Sequence, residues 1–240
     1  MSFPKIQQLS GQIAVHLRDQ ILTGQLRPET FIRPHVLAEQ FATSVTPVRE
    51  ALFVLKHEGF VGLSPRRGFV VKPISTQDII DMFRLQAYIS GEIARRAALQ
   101  ITQPQLDDLR SIQERYIRAI EAGDDEAMYG RNHDFHKNIN LAANAPKLAL
   151  AFVNAARYTP RQFFAGHEAF FDDSVDEHQR MIDALALGDP EVARSEMVRH
   201  VGRASEIVER RFQNGTSMAM PIQEGLSPGF TARTRDTAEA

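Results

Sequence analysis

Three histidines in the second half of the chain are spaced so that they could share an ion. Asn132 and His136 are four residues apart, so on a helix they occupy one face. His178 and His200 each lie eleven residues from Asp189, within Gly188-Asp189-Pro190, a sequence that ends one helix and opens the next. Folding a helical hairpin about Asp189 brings those two imidazoles level. A third imidazole from a neighbouring helix then completes the kind of metal site that bundles build from facing side chains. The same spacing also suits histidines that only pack against their neighbours. His133 is one residue out of phase with Asn132 and points elsewhere, and His167 lies in a Phe-rich stretch that assigns it no role. The chain has no cysteine, which excludes thiolate zinc sites, disulfides and cysteine nucleophiles together.

A second constellation is basic and lies near the N-terminus. Residues 1–75 carry nine Lys and Arg against five Asp and Glu, a net of +4, so the remainder sums to −6 within an overall −2. A basic front on an acidic body suits a polyanionic partner for the front. Ser44, Thr46, Pro47 and Arg49 stand where a helix begins, with Thr46 as the expected capping oxygen and Pro47 at the first helical position. The guanidinium fork of Arg49 matches the two acceptors of guanine, and Thr46 can donate to a phosphate. Arg66 and Arg67 sit at a hairpin tip, where a narrow minor groove attracts guanidinium groups. From spacing alone, all three arginines equally fit a solvated surface.

The elements that must position these groups follow from periodicity. Ile6, Leu9, Ile13, Leu17 and Ile21 recur at helical spacing before Gly24. A shorter helix starts near Pro34, and a third carries Val48, Ala51, Leu52 and Leu55 on one stripe before Gly59. Phe60–Leu63 and Phe69–Val71 around Pro65-Arg66-Arg67-Gly68 read as a hairpin. Two helices joined by a turn, with a hairpin behind, are the parts of a winged helix-turn-helix. From Ser75 onward only helices are expected: from a cap at Ser75 with Asp78, or at Thr76 alone, to about Gln100, from Thr102 to Gly123, over 124–142, and from Pro146 towards Thr159-Pro160. Two more run from a Ser174/Glu177 capping box to Gly188, and from Pro190 to about Phe212, with residues 161–173 ambiguous. Short connections imply an antiparallel bundle. The predicted class is mainly α: a winged helix-turn-helix domain over 1–74, an all-helical domain over 75–212, and a disordered tail over 213–240.

With 43% hydrophobic and 24% charged residues the composition is that of a soluble globular protein. No run of eighteen apolar residues is present, and Met1–Gln7 lacks a signal-peptide core, so a cytoplasmic protein without a membrane association is expected.

The front resembles the DNA-binding domain of the GntR family of bacterial transcription regulators. The likeness rests on Ile21, Gly24, Pro28, Leu37-Ala38-Glu39, Thr46-Pro47-Val48-Arg49-Glu50-Ala51-Leu52, Leu55, Glu58-Gly59-Phe60-Val61 and Arg67-Gly68-Phe69-Val70-Val71. It implies binding to double-stranded operator DNA through Ser44, Thr46, Pro47, Arg49, Arg66, Arg67 and Gly68. The family usually has an arginine where Val45 stands, a glycine at Glu29 and often a glutamate at Pro34. His35 matches a DNA-contacting position of some relatives, and it could partly compensate for Val45.

The body is similar to the FadR-type C-terminal ligand-sensing domain, the FCD domain. Here the likeness rests on Asn132-His133-Asp134-Phe135-His136, Ala143-Asn144, Glu177-His178, Ala184, Gly188-Asp189, Ala193, Met197 and His200. That resemblance implies a divalent ion, zinc or nickel by ligand type, held by Asn132, His136, His178 and His200 beneath an effector pocket. The first ligand is commonly aspartate, so Asn132 leaves the site with one negative charge fewer. An arginine often found at position 86 is Gln86, and Arg157 could substitute for it in holding a small carboxylate effector. Arg157 equally suits a cation at a helix C-terminus. The resemblance implies a homodimer on a pseudo-palindromic site, and a regulator with no catalytic residues. A metal-dependent HD-type phosphohydrolase, suggested by His133-Asp134, needs an upstream histidine, and the nearest is His57 in the DNA-binding helix. A DNA-binding protein with an inert body leaves the three histidines unexplained.

Overall fold

The computed structural model describes residues 5–159 and 168–213. Its first part runs α1 (Lys5–Leu22), β1 (Phe31–Ile32), α2 (Pro34–Gln40), α3 (Val45–His57), β2 (Val61–Ser64) and β3 (Gly68–Val71). The second part is helical: α4 (Thr76–Ala98), α5 (Gln103–Glu121), α6 (Asp125–Ala142), α7 (Pro146–Ala156), α8 (Glu168–Leu187) and α9 (Pro190–Gln213). This is the winged helix followed by a helical bundle that the sequence pattern implies.

In the front, the α3 stripe Val48, Ala51, Leu52 and Leu55 is wholly buried, with Leu17 of α1 and Phe60 of the following corner. Each buried leucine contributes roughly 1.5–3 kcal/mol, so α3 is fixed by its inward face and leaves its outer face, with Arg49, exposed. Two expectations change here. The hairpin belongs to a three-stranded sheet of order β1-β3-β2, with Phe31 opposite Val70 and Ile32 opposite Phe69. A two-residue strand between a turn and Pro34 is too short to show a period of two. In addition, α3 starts two residues earlier than expected, at Val45, with Ser44 rather than Thr46 as its N-cap. Thr46 therefore lies inside the first turn.

In the body, Ser75 and Asp78 form the expected capping box: Asp78 N–H donates to Ser75 Oγ at 3.1 Å and Ser75 N–H to Asp78 Oδ2 at 2.7 Å. Gln105 Oε1 likewise accepts from the Thr102 N–H at 2.9 Å at the start of α5. Helix α4 packs against α6, α7, α8 and α9, and α5 packs against α6 and α8. Their apolar faces meet in one core that includes Ile93, Leu109, Phe135, Ile139, Met181 and Met197. Helix α8 begins at Glu168, so Ser174 and Glu177 are interior to it and are not a capping box. Both are buried, and both turn to the polar interior described below. Of the ambiguous stretch, 168–173 is helical, while 160–167, with His167, lie outside the described residues; of the tail expected over 213–240, Gln213 still belongs to α9 and 214–240 lie outside the described residues. No helix among the described residues is long and apolar enough to cross a membrane.

Candidate metal centre and DNA-reading face

His136 on α6, His178 on α8 and His200 on α9 are brought together, with one ring nitrogen from each lying within 4.8 Å of the others. His136 Nε2 and His200 Nε2 are 3.1 Å apart, and the two rings stack at 5.0 Å between centroids. The outer nitrogens are engaged from behind. Gln113 on α5 donates its Nε2 to the Val175 carbonyl at 2.9 Å, which leaves its Oε1 to accept from His178 Nδ1 at 3.0 Å. Glu177 Oε2 accepts from His200 Nδ1 at 2.7 Å and from Arg203 Nη2 at 3.1 Å.

These acceptors decide the tautomers. Each of His178 and His200 carries a proton on Nδ1, so each turns its Nε2 into the cluster. His178 Nε2 is buried and has no hydrogen-bond partner among the described residues. A buried lone pair without a donor costs on the order of 1–3 kcal/mol. Aiming it at a common point with two further imidazole nitrogens is the donor set that zinc or nickel takes, oriented by outer acceptors as in metalloproteins generally. The residues therefore fit a divalent ion.

Electrostatics favour the neutral form of His136 and of His178. Burial, then the neighbouring His200 and His133, pushes His136 down to about 3. Burial, then His200, His136 and Arg203, holds His178 well below the usual imidazole range. Burial alone would raise the Glu177 carboxyl, but the hydrogen bond from His200 and the charges of His200, Arg203 and Arg180 outweigh it and hold it low. Asn132 is half-buried one turn before His136 on α6. His133 is exposed, and Asp134 pairs with Arg131 at 2.8 Å, so the His133-Asp134 dipeptide stands apart from the three-histidine cluster.

Sequence reasoning missed Gln113, Glu177 and Arg203. Glu177 adjoins His178, but its residue type and a serine three positions earlier pointed to a cap. Gln113 is a buried amide on an otherwise apolar face, and that mismatch was its one available signal.

Gln86 on α4 is buried and donates to Thr159 Oγ1 at 3.0 Å and to the Ala155 carbonyl at 3.4 Å. Arg157 does not join it. Its guanidinium pairs instead with Glu58 of the front domain, a contact between segments that periodicity treats separately.

At the front, Ser44, Val45, Thr46 and Arg49 are exposed at the start of α3, and His35 is exposed on α2. Pro47 is buried, so it shapes the helix start and offers no surface to a groove. Arg66 and Arg67 are exposed between β2 and β3, with Arg67 over the Phe31 ring at 5.2 Å. Gly68 has φ +95°, and a Cβ there would meet the Ile32 carbonyl oxygen at 2.7 Å. Glycine is thus required where β3 leaves the arginine tip.

Residues 9–71 match the family model of bacterial regulatory proteins, gntR family, and residues 81–203 match that of the FCD domain. The chain is 28% identical over 195 residues to a probable D-xylose utilization operon transcriptional repressor of Paenarthrobacter nicotinovorans, covering 79% of this chain and 85% of that one. It is 26% identical over 210 residues to the HTH-type transcriptional repressor RspR of Escherichia coli, covering 85% and 90% respectively. Among solved structures it is similar to E. coli McbR/YncC, with a TM-score of 0.65 at 24% identity over 85% of this chain and 98% of that one. That last likeness is one of fold.

Proposed function

The chain belongs to the GntR family of bacterial regulatory proteins and carries an FCD domain, and from that premise we propose that it is a metal-loaded, effector-responsive transcriptional regulator. The observation that carries the finer reading is the cluster of three imidazoles, two of them buried and turned inward by Gln113 and Glu177. An inert body would have no use for such a costly arrangement.

On this reading residues 1–74 bind DNA, and 75–212 bind the effector and pair two copies. Arg49 reads a base edge from the major groove, while Ser44, Thr46 and His35 position the helix on phosphates. Arg66 and Arg67 follow the minor groove, and Gly68 sets the tip that carries them. A homodimer places two such domains on the half-sites of a pseudo-palindromic operator in the cytoplasm. His136, His178, His200 and Asn132 would hold a zinc or nickel ion. Bound there, the ion supplies an electrophilic centre with positions open to water or to the carboxylate of a small effector. Gln86 lines the effector side. The role is binding, with no catalytic residue.

The test is binding of the purified protein to genomic fragments across a salt series, with elemental analysis of the same sample. Specific binding that weakens steeply with salt, in protein carrying about one ion per chain, is the expected result. Equal binding to every fragment would overturn the regulator reading, and metal-free protein indifferent to added zinc or nickel would overturn the metal.

A further inference from the structure

Glu58 ends α3, the recognition helix, and its carboxylate is almost wholly buried, at 5% side-chain exposure. Two arginines from opposite parts of the chain converge on it. Arg18 of α1 reaches Oε2 at 2.6 Å, and Arg157, at the end of α7, reaches Oε1. Next to Arg157, the Tyr158 hydroxyl donates to the Glu58 carbonyl at 2.5 Å, and its ring stacks on Phe60 at 4.6 Å and 25°. Gly59, between them, has φ +89°, and a Cβ there would lie 2.9 Å from the Tyr158 hydroxyl. The body therefore grips the corner between α3 and β2 by an ion pair, a hydrogen bond and a ring stack at once.

The gripping turn is itself held from behind. Gln86, buried in α4, donates to the Ala155 carbonyl and to Thr159 Oγ1, on either side of Arg157 and Tyr158. One side chain of the body interior thus fixes both ends of the segment that clasps the front domain.

We propose that residues 155–159 form a latch through which the Gln86 amide controls how firmly the α3–β2 corner is held. This deepens the regulator reading and rests on it: a ligand that takes the Gln86 amide for its own hydrogen bonds removes the hold on 155–159. The clasp on Glu58-Gly59-Phe60 then loosens, and the recognition helix gains freedom relative to the body. Coupling of this kind needs only two arrangements of one segment, each favoured by a different partner.

Amide hydrogen exchange of the full chain tests it without DNA or effector. The Phe60 N–H is bonded to the Leu55 carbonyl, and the Phe60 carbonyl accepts from the Lys72 N–H, so peptides spanning 55–62 report opening of the corner. Arg157→Gln combined with Tyr158→Phe should speed exchange there on the order of tenfold, the equilibrium weight of one charge-assisted hydrogen bond. Gln86→Leu should speed the same peptides although Gln86 touches neither, and α2 should exchange as in the parent. Adding Gln86→Leu to the latch variant should change little more, because both act on one segment. Thr159→Val, which keeps shape and removes the acceptor, decides the matter if Gln86→Leu fails to fold. Unchanged exchange over 55–62 in Gln86→Leu, or in Thr159→Val where the first does not fold, overturns the coupling; unchanged exchange in the latch variant overturns the latch itself. Failure of the regulator reading shows separately, as DNA binding without preference.

Discussion

Glu177→Gln removes one charge from the buried polar cluster of the body while keeping the side chain's size. The carboxylate accepts from His200 Nδ1 at 2.7 Å and from Arg203 Nη2 at 3.1 Å, and both it and His200 are nearly inaccessible to solvent. Charge-assisted hydrogen bonds contribute about 1.5–3 kcal/mol each, and an amide oxygen preserves part of that by accepting one of them. Arg203 keeps Asp173 at 2.6 Å, but Asp173 is 68% exposed, so that pair compensates weakly. The net loss in metal-free protein should be about 2–4 kcal/mol, short of the 3–5 kcal/mol typical when a buried pair loses a partner altogether. The metal should suffer separately. A neutral acceptor no longer raises the basicity of His200 Nε2, and loss of such an outer partner lowers metal affinity by roughly 10–100-fold. Urea unfolding with chelator measures the first effect, and competition with a chromophoric chelator measures the second. A variant with parental zinc affinity and only lower stability would refute the claim that Glu177 orients His200 for a metal.

Metal-free protein should lose stability on acidification from about pH 6.5 down towards pH 3. His136 and His178 take up protons in the unfolded chain at ordinary pKa but resist them when folded, so His136 removes up to about 1.4 kcal/mol per pH unit across that window and His178 adds a loss of the same sign below pH 6.5; unfolding midpoints at pH 7 and pH 5 check the sign. His178→Ala should lower metal content and abolish the rise in melting temperature on adding zinc, read by elemental analysis and calorimetry, because the ion binds only the folded state; parental content would exclude His178 as a ligand. Arg49→Ala should erase operator preference at a cost of about 1–3 kcal/mol, whereas Arg67→Ala should weaken all sequences alike; competition binding with mutated operators separates them. Val45→Arg should raise non-specific affinity and shift base preference, and an unchanged operator profile would place position 45 away from the bases.

Most of the architecture could be read locally because its signals are local. The α3 stripe, the Ser75/Asp78 cap and the turn at Gly188-Asp189-Pro190 are each settled by fewer than a dozen neighbouring residues, and the structure keeps all three. His178 and His200 were legible for the same reason: equal distance from a turn is a statement about two adjacent helices, whereas His136 joined them through the resemblance to the FCD pattern. What failed was non-local. Strand β1 exists because β3 offers it an edge, and nothing in Phe31-Ile32 announces that. The misjudged cap at Ser174/Glu177 shows the converse. Residue types that make a good helix start also serve inside a helix when a facing arginine and imidazole supply their hydrogen bonds, as Arg203 does for Ser174 at 3.1 Å. The pairing of Arg157 with Glu58, ninety-nine positions apart, carries no sequence signal at all.

Charge accounts for how Asn132 and Gln86 can coexist in a domain proposed to take an acidic ligand. The FCD pattern commonly puts an anion where Asn132 stands and a cation where Gln86 stands, and this chain has neither. An ion held by three neutral imidazoles and an amide keeps its double positive charge. The nearby carboxylate, Glu177, is already engaged by His200 and Arg203. Arg157, the cation that sequence alone offered as a replacement, is engaged by Glu58. The attraction that an arginine would have supplied, about 4 kcal/mol per unit charge at 4 Å in a medium of effective dielectric constant 20 before desolvation, must then come from the metal. On the proposed reading, effector carboxylate and metal are bound together or not at all, and the response on DNA inherits the sensitivity of the ion to chelators and to acid.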